Sequence, residues 1–322
     1  MSGHLHPGYR AGRRTLRIAS RTALTEHITH FELVDPDGLP LRAYQPGSHL
    51  VVTAGGRRNA YSLVDDGVAP DAYRISVLRR GEGGGSDWLH DTLRPGDLVE
   101  VEGPRSMFAP APDQRAVLLV AGGIGITPVL SHARARVRAG LPVELVYSYR
   151  PGRAAHLADV RALAARSGVR VHEAIGAART VETLRERLAD QPMGAHAYAC
   201  GPLPLLATYE RLAAEAGWPT ARVHLERFTA PELEAGEPFT ATVASTGQRL
   251  DVPAGVSLLD TLLAAGHDVR HQCRQGVCGE CRLPVRATRL EHRDFVLTDD
   301  EKRAGDTMLP CVSRGDQIEV FL

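Results

Sequence analysis

Four of the five cysteines, Cys273, Cys278, Cys281 and Cys311, follow a C-x4-C-x2-C pattern with a distant fourth member. Thiolates are soft ligands. This spacing lets one tight loop present three sulfurs to a [2Fe–2S] cluster while the fourth arrives from elsewhere. Gly276 and Gly279 lie between the ligands and give the loop backbone freedom, so that amide N–H groups can point at sulfur. Two other readings compete, a structural zinc and unrelated free thiols. Zinc sites usually carry two C-x2-C pairs, and only one is present here. Cys200 falls outside the pattern and is not a ligand on this reading.

A second chemistry is written in glycine. Gly122-Gly-Ile-Gly-Ile-Thr-Pro128 follows a continuous apolar run, Ala116 to Ala121, and precedes a helical pattern that lasts to Ala139. Glycines there let a pyrophosphate or ribose approach the backbone, and a helix N-terminus favours the negative charge. A plain tight turn is the alternative. Tyr198-Ala-Cys-Gly-Pro202 also stands at a strand end before a helix. Two such turns at the carboxyl ends of parallel strands face one crevice, where ligands of these sheets bind. Gly83-Gly-Gly-Ser-Asp-Trp-Leu-His90 opens a further helix, with Ser86 as its N-cap candidate. It reads as a phosphate cradle, or as a glycine hinge with no ligand. Tyr61-Ser62, taken alone, reads as ordinary strand.

The elements that must position these residues fall into three textures. From Thr15 to about Pro110 there are short apolar runs, such as His49–Thr53, Ala72–Leu78 and Asp97–Val101. They are broken by Gly, Pro and Asp, as in antiparallel strands of a barrel or sandwich. From about Gln114, buried strands (Ala116–Ala121, Val143–Tyr147, Val169–His172, Ala195–Cys200, Ala221–Leu225) alternate with helices (Ala154–Ser167, Val181–Asp190, Pro204–Ala216). That alternation implies a parallel, doubly wound sheet. Thr229 to Glu237, with Pro231 and Gly236, reads as a linker. Beyond it, Phe239–Val243 and Gln248–Val252 form a hairpin and Val256–Ala265 a helix before the cysteines. There is no internal repeat and no low-complexity tract.

The 322 residues suffice for two or three domains. Lys+Arg and Asp+Glu are both 38, so charge predicts no nucleic-acid partner. Lys302 is the only lysine, so an isolated Arg is weak evidence for a site. No apolar stretch approaches the roughly 18–20 residues of a membrane helix, and Met1 to Arg14 has no apolar core of a signal peptide. The expectation is a mobile tail over residues 1–14 and a cytoplasmic protein that binds no membrane.

Several motifs together resemble known families. His271-Gln-Cys-Arg-Gln-Gly-Val-Cys-Gly-Glu-Cys281 and Leu309-Pro-Cys-Val312 resemble the cluster loop of plant-type ferredoxins, which implies a β-grasp fold for residues 237–322. The two glycine turns resemble those of the ferredoxin–NADP reductase superfamily. The resemblance places Gly122, Gly123, Gly125, Thr127, Cys200, Gly201 and Pro202 at the nicotinamide site; a small buried thiol is the alternative for Cys200. Arg57-Arg-Asn-Ala-Tyr-Ser-Leu63 resembles the superfamily's R-x-Y-S motif. Tyr61 and Ser62 match its flavin contacts, while Asn59 stands where the phosphate-binding Arg is expected and Arg58 is one residue early. Gly84, Gly85 and Ser86 match the G-G-x-S segment that holds the flavin phosphate.

The whole order, with Pro104-Arg-Ser-Met-Phe108, resembles the phthalate dioxygenase reductase and vanillate demethylase reductase family over about residues 15–322. That resemblance implies an antiparallel flavin-binding β-barrel (15–112), a doubly wound α/β NAD-binding domain (113–228), a linker (229–236) and a ferredoxin domain (237–322). It implies FMN rather than FAD, and NADH rather than NADPH, although Arg150 after a strand could meet a 2′-phosphate. It implies a monomeric reductase that passes single electrons to a Rieske-type oxygenase. Phe228 covers the flavin or simply packs between domains. Hydride transfer to a flavin requires no general acid or base, and none of the 14 histidines is assigned one. Two competing functions are a cluster-bearing redox sensor without turnover and a flavin reductase stapled by zinc.

Overall fold

The computed structural model describes residues 13–81, 83–229 and 233–322. The expected tail therefore lies outside the described residues up to residue 12, and the centre of the expected linker, residues 230–232, lies outside them too. The chain divides into two compact units, through Glu226 and from Arg227 onward.

The first unit opens with six antiparallel strands: β1 (Arg14–Thr25), β2 (Ile28–Val34), β3 (Ser48–Ala54), β4 (Arg57–Ser62), β5 (Tyr73–Leu78) and β6 (Leu98–Ser106). Their order is β4-β3-β6-β1-β2-β5, and Leu63, just past β4, bridges to Ile75 of β5, so the two edges meet as a barrel. Alternate residues point inward, as the two-residue period of a strand requires. Leu16, Ile18, Phe31, Leu50 and Ile75 fill the interior. Helix α1 (Gly85–Thr92) lies against this sheet; a Cβ at Gly55 would meet the Trp88 ring at 2.9 Å.

The same unit continues with five parallel strands: β7 (Ala116–Gly122), β8 (Val143–Tyr149), β9 (Val169–Ile175), β10 (Ala195–Cys200) and β11 (Val223–Glu226). Between them run α2 (Ile126–Arg138), α3 (Leu157–Ala164), α4 (Ala177–Ala189) and α5 (Leu203–Glu215). The order β11-β10-β7-β8-β9 reverses direction between β7 and β10, which places the ligand crevice outside Gly122 and Cys200. α3 is shorter than the sequence pattern predicts. His156 sits in the left-handed region at φ 56°, which blocks helix before Leu157.

The second unit contains β12 (Phe239–Val243), β13 (Arg249–Val252), α6 (Leu258–Ala264), β14 (Leu283–Arg286), β15 (Arg289–Glu291), α7 (Asp299–Ala304), β16 (Thr307–Met308), β17 (Arg314–Asp316) and β18 (Ile318–Val320). The main sheet runs β13-β12-β18-β14-β16, with β12 and β18 parallel, and packs Leu258, Leu259 and Leu262 of α6 into its core, the β-grasp arrangement. Ser257 caps α6 through the Asp260 amide at 3.0 Å, and Thr298 with Glu301 forms a capping box on α7. The unit also holds the strap that leads into it. Arg227 stacks on the Phe295 ring, Arg293 donates to the Glu234 carbonyl, Gly255 N–H to the Ala235 carbonyl and Arg314 to the Glu237 carbonyl.

Candidate functional site: two glycine turns, an enclosed carboxyl and a four-cysteine loop

The turns after β7 and β10 touch backbone to backbone. A Cβ on Gly125 would lie 2.2 Å from the Cys200 carbonyl oxygen, and one on Gly201 would lie 3.0 Å from the Gly122 Cα. A Cβ at Gly125 would have to push backbone aside, whereas one at Gly201 would press on the Leu205 side chain and on Gly122. Gly123, at φ 54°, faces open space instead. Its glycine serves the left-handed backbone and leaves room for a ligand. The Thr127 hydroxyl donates to the Ile124 carbonyl at 3.0 Å and closes the first turn of α2. Gly122, Gly123, Gly125, Thr127, Cys200, Gly201 and Pro202 are thus assembled at the switch point. Cys200 is fully buried, and burial pushes its thiol well above the usual range.

At that same end, register pairs Cys200 with Glu226, the last residue of β11. The residue as a whole is only half-buried, but its carboxyl oxygen Oε2 is enclosed and has no hydrogen-bond partner. Burial pushes this carboxyl up to about 8, partly offset by a hydrogen bond from Ser62 of β4. Burial thus favours the protonated form of Glu226. Sequence reasoning missed it: a lone glutamate after a strand carries no signal until the fold brings Ser62 and Cys200 against it.

On β4, side chains alternate. Arg58 points to Glu102 of β6 at 2.8 Å. Asn59 and Tyr61 point the other way. Asn59 donates from Nδ2 to the Tyr61 hydroxyl at 3.4 Å, and a Cβ on Gly85 would meet that amide at 3.0 Å. Burial raises the Tyr61 phenol to about 12. Asn59 thus stands beside the start of α1. Arg57 is the cation there, 3.8 Å from where a Cβ on Gly84 would lie; strand alternation could have singled it out. The N-cap of α1 is Gly84, not Ser86, and no side chain caps it. The reason is Asp87, whose carboxylate accepts the Arg80, Gly81 and Gly83 amides at 2.7–3.0 Å and ties the loop off before the helix. The first amides of α1 are left for an anion. The uncapped helix start, the cradle at Gly85 and the enclosed Glu226 oxygen fit a flavin mononucleotide lying from α1 to Ser62.

In the second unit the four cysteines form two pairs. Cys273 interacts with Cys278, and Cys281 with Cys311. The Cys278 sulfur accepts the Cys273 amide at 3.5 Å, and the Cys273 sulfur accepts the Gln275 amide at 3.3 Å. The partner thiol holds Cys273 down at about 6 and lowers Cys281 as well. Gly276 and Gly279 have φ 71° and 72°, as the tight loop requires. Among the described residues, no group of three or more His, Cys, Asp or Glu side chains is arranged for a single metal ion. Two pairs of thiolates suit two irons bridged by sulfide. Phe228 is half-buried and falls in this second unit.

A barrel joined to a dinucleotide-type sheet, followed by a ferredoxin fold with a cluster-type cysteine loop, defines a pyridine-nucleotide-dependent iron–sulfur flavoprotein reductase. The comparisons agree. Residues 241–314 match the 2Fe-2S iron-sulfur cluster binding domain, and residues 103–223 the dimethylamine monooxygenase subunit DmmA-like N-terminal domain. Phthalate dioxygenase reductase of Burkholderia cepacia is 36% identical over 314 residues, 95% of this chain and 96% of that protein. The heme-dependent oxidative N-demethylase beta subunit of Ectopseudomonas mendocina is 38% identical over 302 residues, 93% of this chain and 95% of that protein. The solved phthalate dioxygenase reductase, described as a modular structure for electron transfer from pyridine nucleotides to [2Fe–2S], aligns with TM-score 0.74 at 35% identity over 97% of this chain and 98% of that one. An intact type IV self-sufficient cytochrome P450 monooxygenase aligns with TM-score 0.80 at 32% identity, and the chain spans 41% of its length. The chain belongs to the phthalate dioxygenase reductase family. Among the described residues, no helix is long and apolar enough to cross a membrane.

Proposed function

We propose that this chain is the reductase component of a multicomponent oxygenase or demethylase, drawing on NADH and delivering single electrons to a Rieske-type oxygenase. A bound FMN would supply hydride acceptance and one-electron chemistry, and a [2Fe–2S] cluster would supply single-electron transfer. The α1 amides, Gly84, Gly85, Ser86 and Asn59 hold the FMN phosphate, with Arg57 supplying positive charge. Tyr61 and Ser62 lie along the ring. Gly122, Gly123, Gly125 and Thr127 receive the dinucleotide, and Cys200, Gly201 and Pro202 bring the nicotinamide to the ring. Glu226, whose protonated form burial favours, can hold a proton at its carboxyl beside Ser62. Cys273, Cys278, Cys281 and Cys311 bind the cluster. The protein is a cytoplasmic monomer.

The observation that carries this reading is the pairing of the four cysteines in a ferredoxin fold on the same chain as two glycine turns packed at a switch point. Purified protein made with ample iron and without oxygen should be brown, with FMN on extraction and two irons and two labile sulfides per chain. Zinc in place of iron would overturn it, as would colourless protein. Comparing kcat/KM for NADH and NADPH tests the nucleotide; a large NADPH preference refutes that part. A haem acceptor is the second reading, favoured by the demethylase relative and the cytochrome P450 match. Mixing reduced protein with a Rieske oxygenase and with a haem oxygenase separates the two.

A further inference from the structure

His156 occupies an unusual place. It is buried, its backbone lies in the left-handed region at φ 56°, and it stands directly before α3. A non-glycine residue keeps such a conformation only when its surroundings hold it there. The hold is visible. Its Nδ1 lies 2.8 Å from Asp159 Oδ2, and its Nε2 lies 2.7 Å from the Ser76 hydroxyl of β5. Ser76 is buried too, and its oxygen lies 2.9 Å from His30 Nδ1. The Asp159 carboxylate can only accept, so Nδ1 of His156 carries a hydrogen and donates to it. The Ser76 hydroxyl is shared between His156 Nε2 and His30 Nδ1. The spacing is that of a Ser–His–Asp triad, but the serine is enclosed and its oxygen is engaged by His30, so it is no nucleophile.

The chain of contacts extends in two directions. Asp159 also accepts from Arg134 of α2 at 2.7 Å, and Arg134 reaches Asp65 of the barrel at 2.6 Å. On the other side of His156, the Ala155 carbonyl accepts the Tyr147 hydroxyl at 2.8 Å, and that hydroxyl also lies 3.4 Å from the Gly123 carbonyl. Tyr147 and Ala155 are wholly buried. A line of contacts therefore runs from β5 of the barrel, through His156 and its neighbour, to the Tyr147 hydroxyl beside the Gly123 carbonyl of the glycine turn after β7.

We propose that His156 is a positioning residue for the nicotinamide dinucleotide. Anchored by Ser76 and Asp159, it fixes Ala155, through Ala155 the Tyr147 hydroxyl, and, through the packing of that side chain 3.4 Å from the Gly123 carbonyl, the Gly123 peptide. The effect on the nucleotide rests on assigning the dinucleotide to the Gly122–Gly125 turn; the effect on the turn does not.

The test uses the flavin- and cluster-loaded full chain. His156→Asn keeps a residue that tolerates the left-handed backbone but is too short to bridge Ser76 and Asp159. Ser76→Ala removes the barrel anchor, together with the contact to His30, and leaves Asp159 in place. The expected result for each is about a tenfold rise in KM for NADH with kcat within about twofold, and faster amide hydrogen exchange at residues 122–125. The double variant should be no worse than either single one, because one line of contacts is cut twice. Unchanged exchange at 122–125 overturns the proposal whatever KM does. Faster exchange with unchanged KM also overturns it, provided Gly125→Ala weakens NADH. If Gly125→Ala leaves NADH untouched while exchange rises, the positioning of the turn stands and the nucleotide assignment falls.

Discussion

Gly125→Ala isolates one physical requirement of the nicotinamide turn. The residue has φ −61°, ordinary helical backbone, so alanine meets no conformational barrier. What it meets is the opposite turn. Its Cβ would stand 2.2 Å from the Cys200 carbonyl oxygen, 2.4 Å from the carbonyl carbon and 2.7 Å from the Gly201 nitrogen, all backbone atoms. Ordinary contact begins near 3.4 Å, so the β7 and β10 turns must part by about 1.2 Å. Overpacking of this kind costs about 1–3 kcal/mol of stability. A misplacement of about 1 Å at a reacting centre costs on the order of 100-fold in rate, or about 2.7 kcal/mol. Stopped-flow reduction of the bound flavin by NADH should therefore slow roughly 100-fold in kcat/KM. Gly123→Ala is the comparison. It meets no atom within 4 Å and carries only the left-handed cost of about 1–2 kcal/mol. A Gly125→Ala protein with kcat/KM within about threefold of the parent, or one no slower than Gly123→Ala, would show that close approach of the turns does not hold the nicotinamide.

Other outcomes follow from the same geometry. Glu226 prefers to be neutral in the fold, with its carboxyl raised from 4.5 to about 8, so the native state binds the extra proton between those values and stability falls as pH rises. The loss reaches about 3 kcal/mol by pH 7. Glu226→Gln should flatten that slope, read by fluorescence of Trp88 and Trp218, the protein's two tryptophans, both in the first unit; parallel curves count against an enclosed carboxyl. His30 is the opposite case. Burial first, then His156, lowers it from 6.5 to about 4, so stability rises with pH across that window, by about 3 kcal/mol in all. His30→Asn should remove the rise, and retention of it in acid melts would assign it elsewhere. Cys278→Ser should cost the cluster's absorption and labile sulfide while leaving NADH-to-ferricyanide turnover within a few-fold; retention of the absorption and sulfide would place the cysteine outside cluster chemistry.

The parts legible in the sequence were those whose chemistry dictates local spacing. A cluster needs three sulfurs from one loop, so Cys273, Cys278 and Cys281 announce themselves, and a strand that must turn sharply into a helix writes Gly122, Gly123 and Gly125 in a row. Parallel strands buried on both faces read as apolar runs, and Ala195–Cys200 was placed to the residue. What stayed hidden depends on distant partners. Glu226 matters because Ser62 of β4 meets it, and His156 because Ser76 of β5 does. Ser86 looked like a cap because serine often is one; Asp87, one residue on, gathers three loop amides and moves the helix start to Gly84. Arg57 was legible in principle, since strand alternation sets it on the same face as Asn59 and Tyr61.

The strap described above bears on how such proteins are recombined. Arg227 on Phe295, Glu234 under Arg293, Ala235 against Gly255 and Glu237 beneath Arg314 travel with the ferredoxin module. A transplant of that module onto another reductase should be cut between Glu226 and Arg227. A scissor placed just after Thr229 would leave Phe295 without Arg227, while Glu234, Ala235 and Glu237 would still hold the graft.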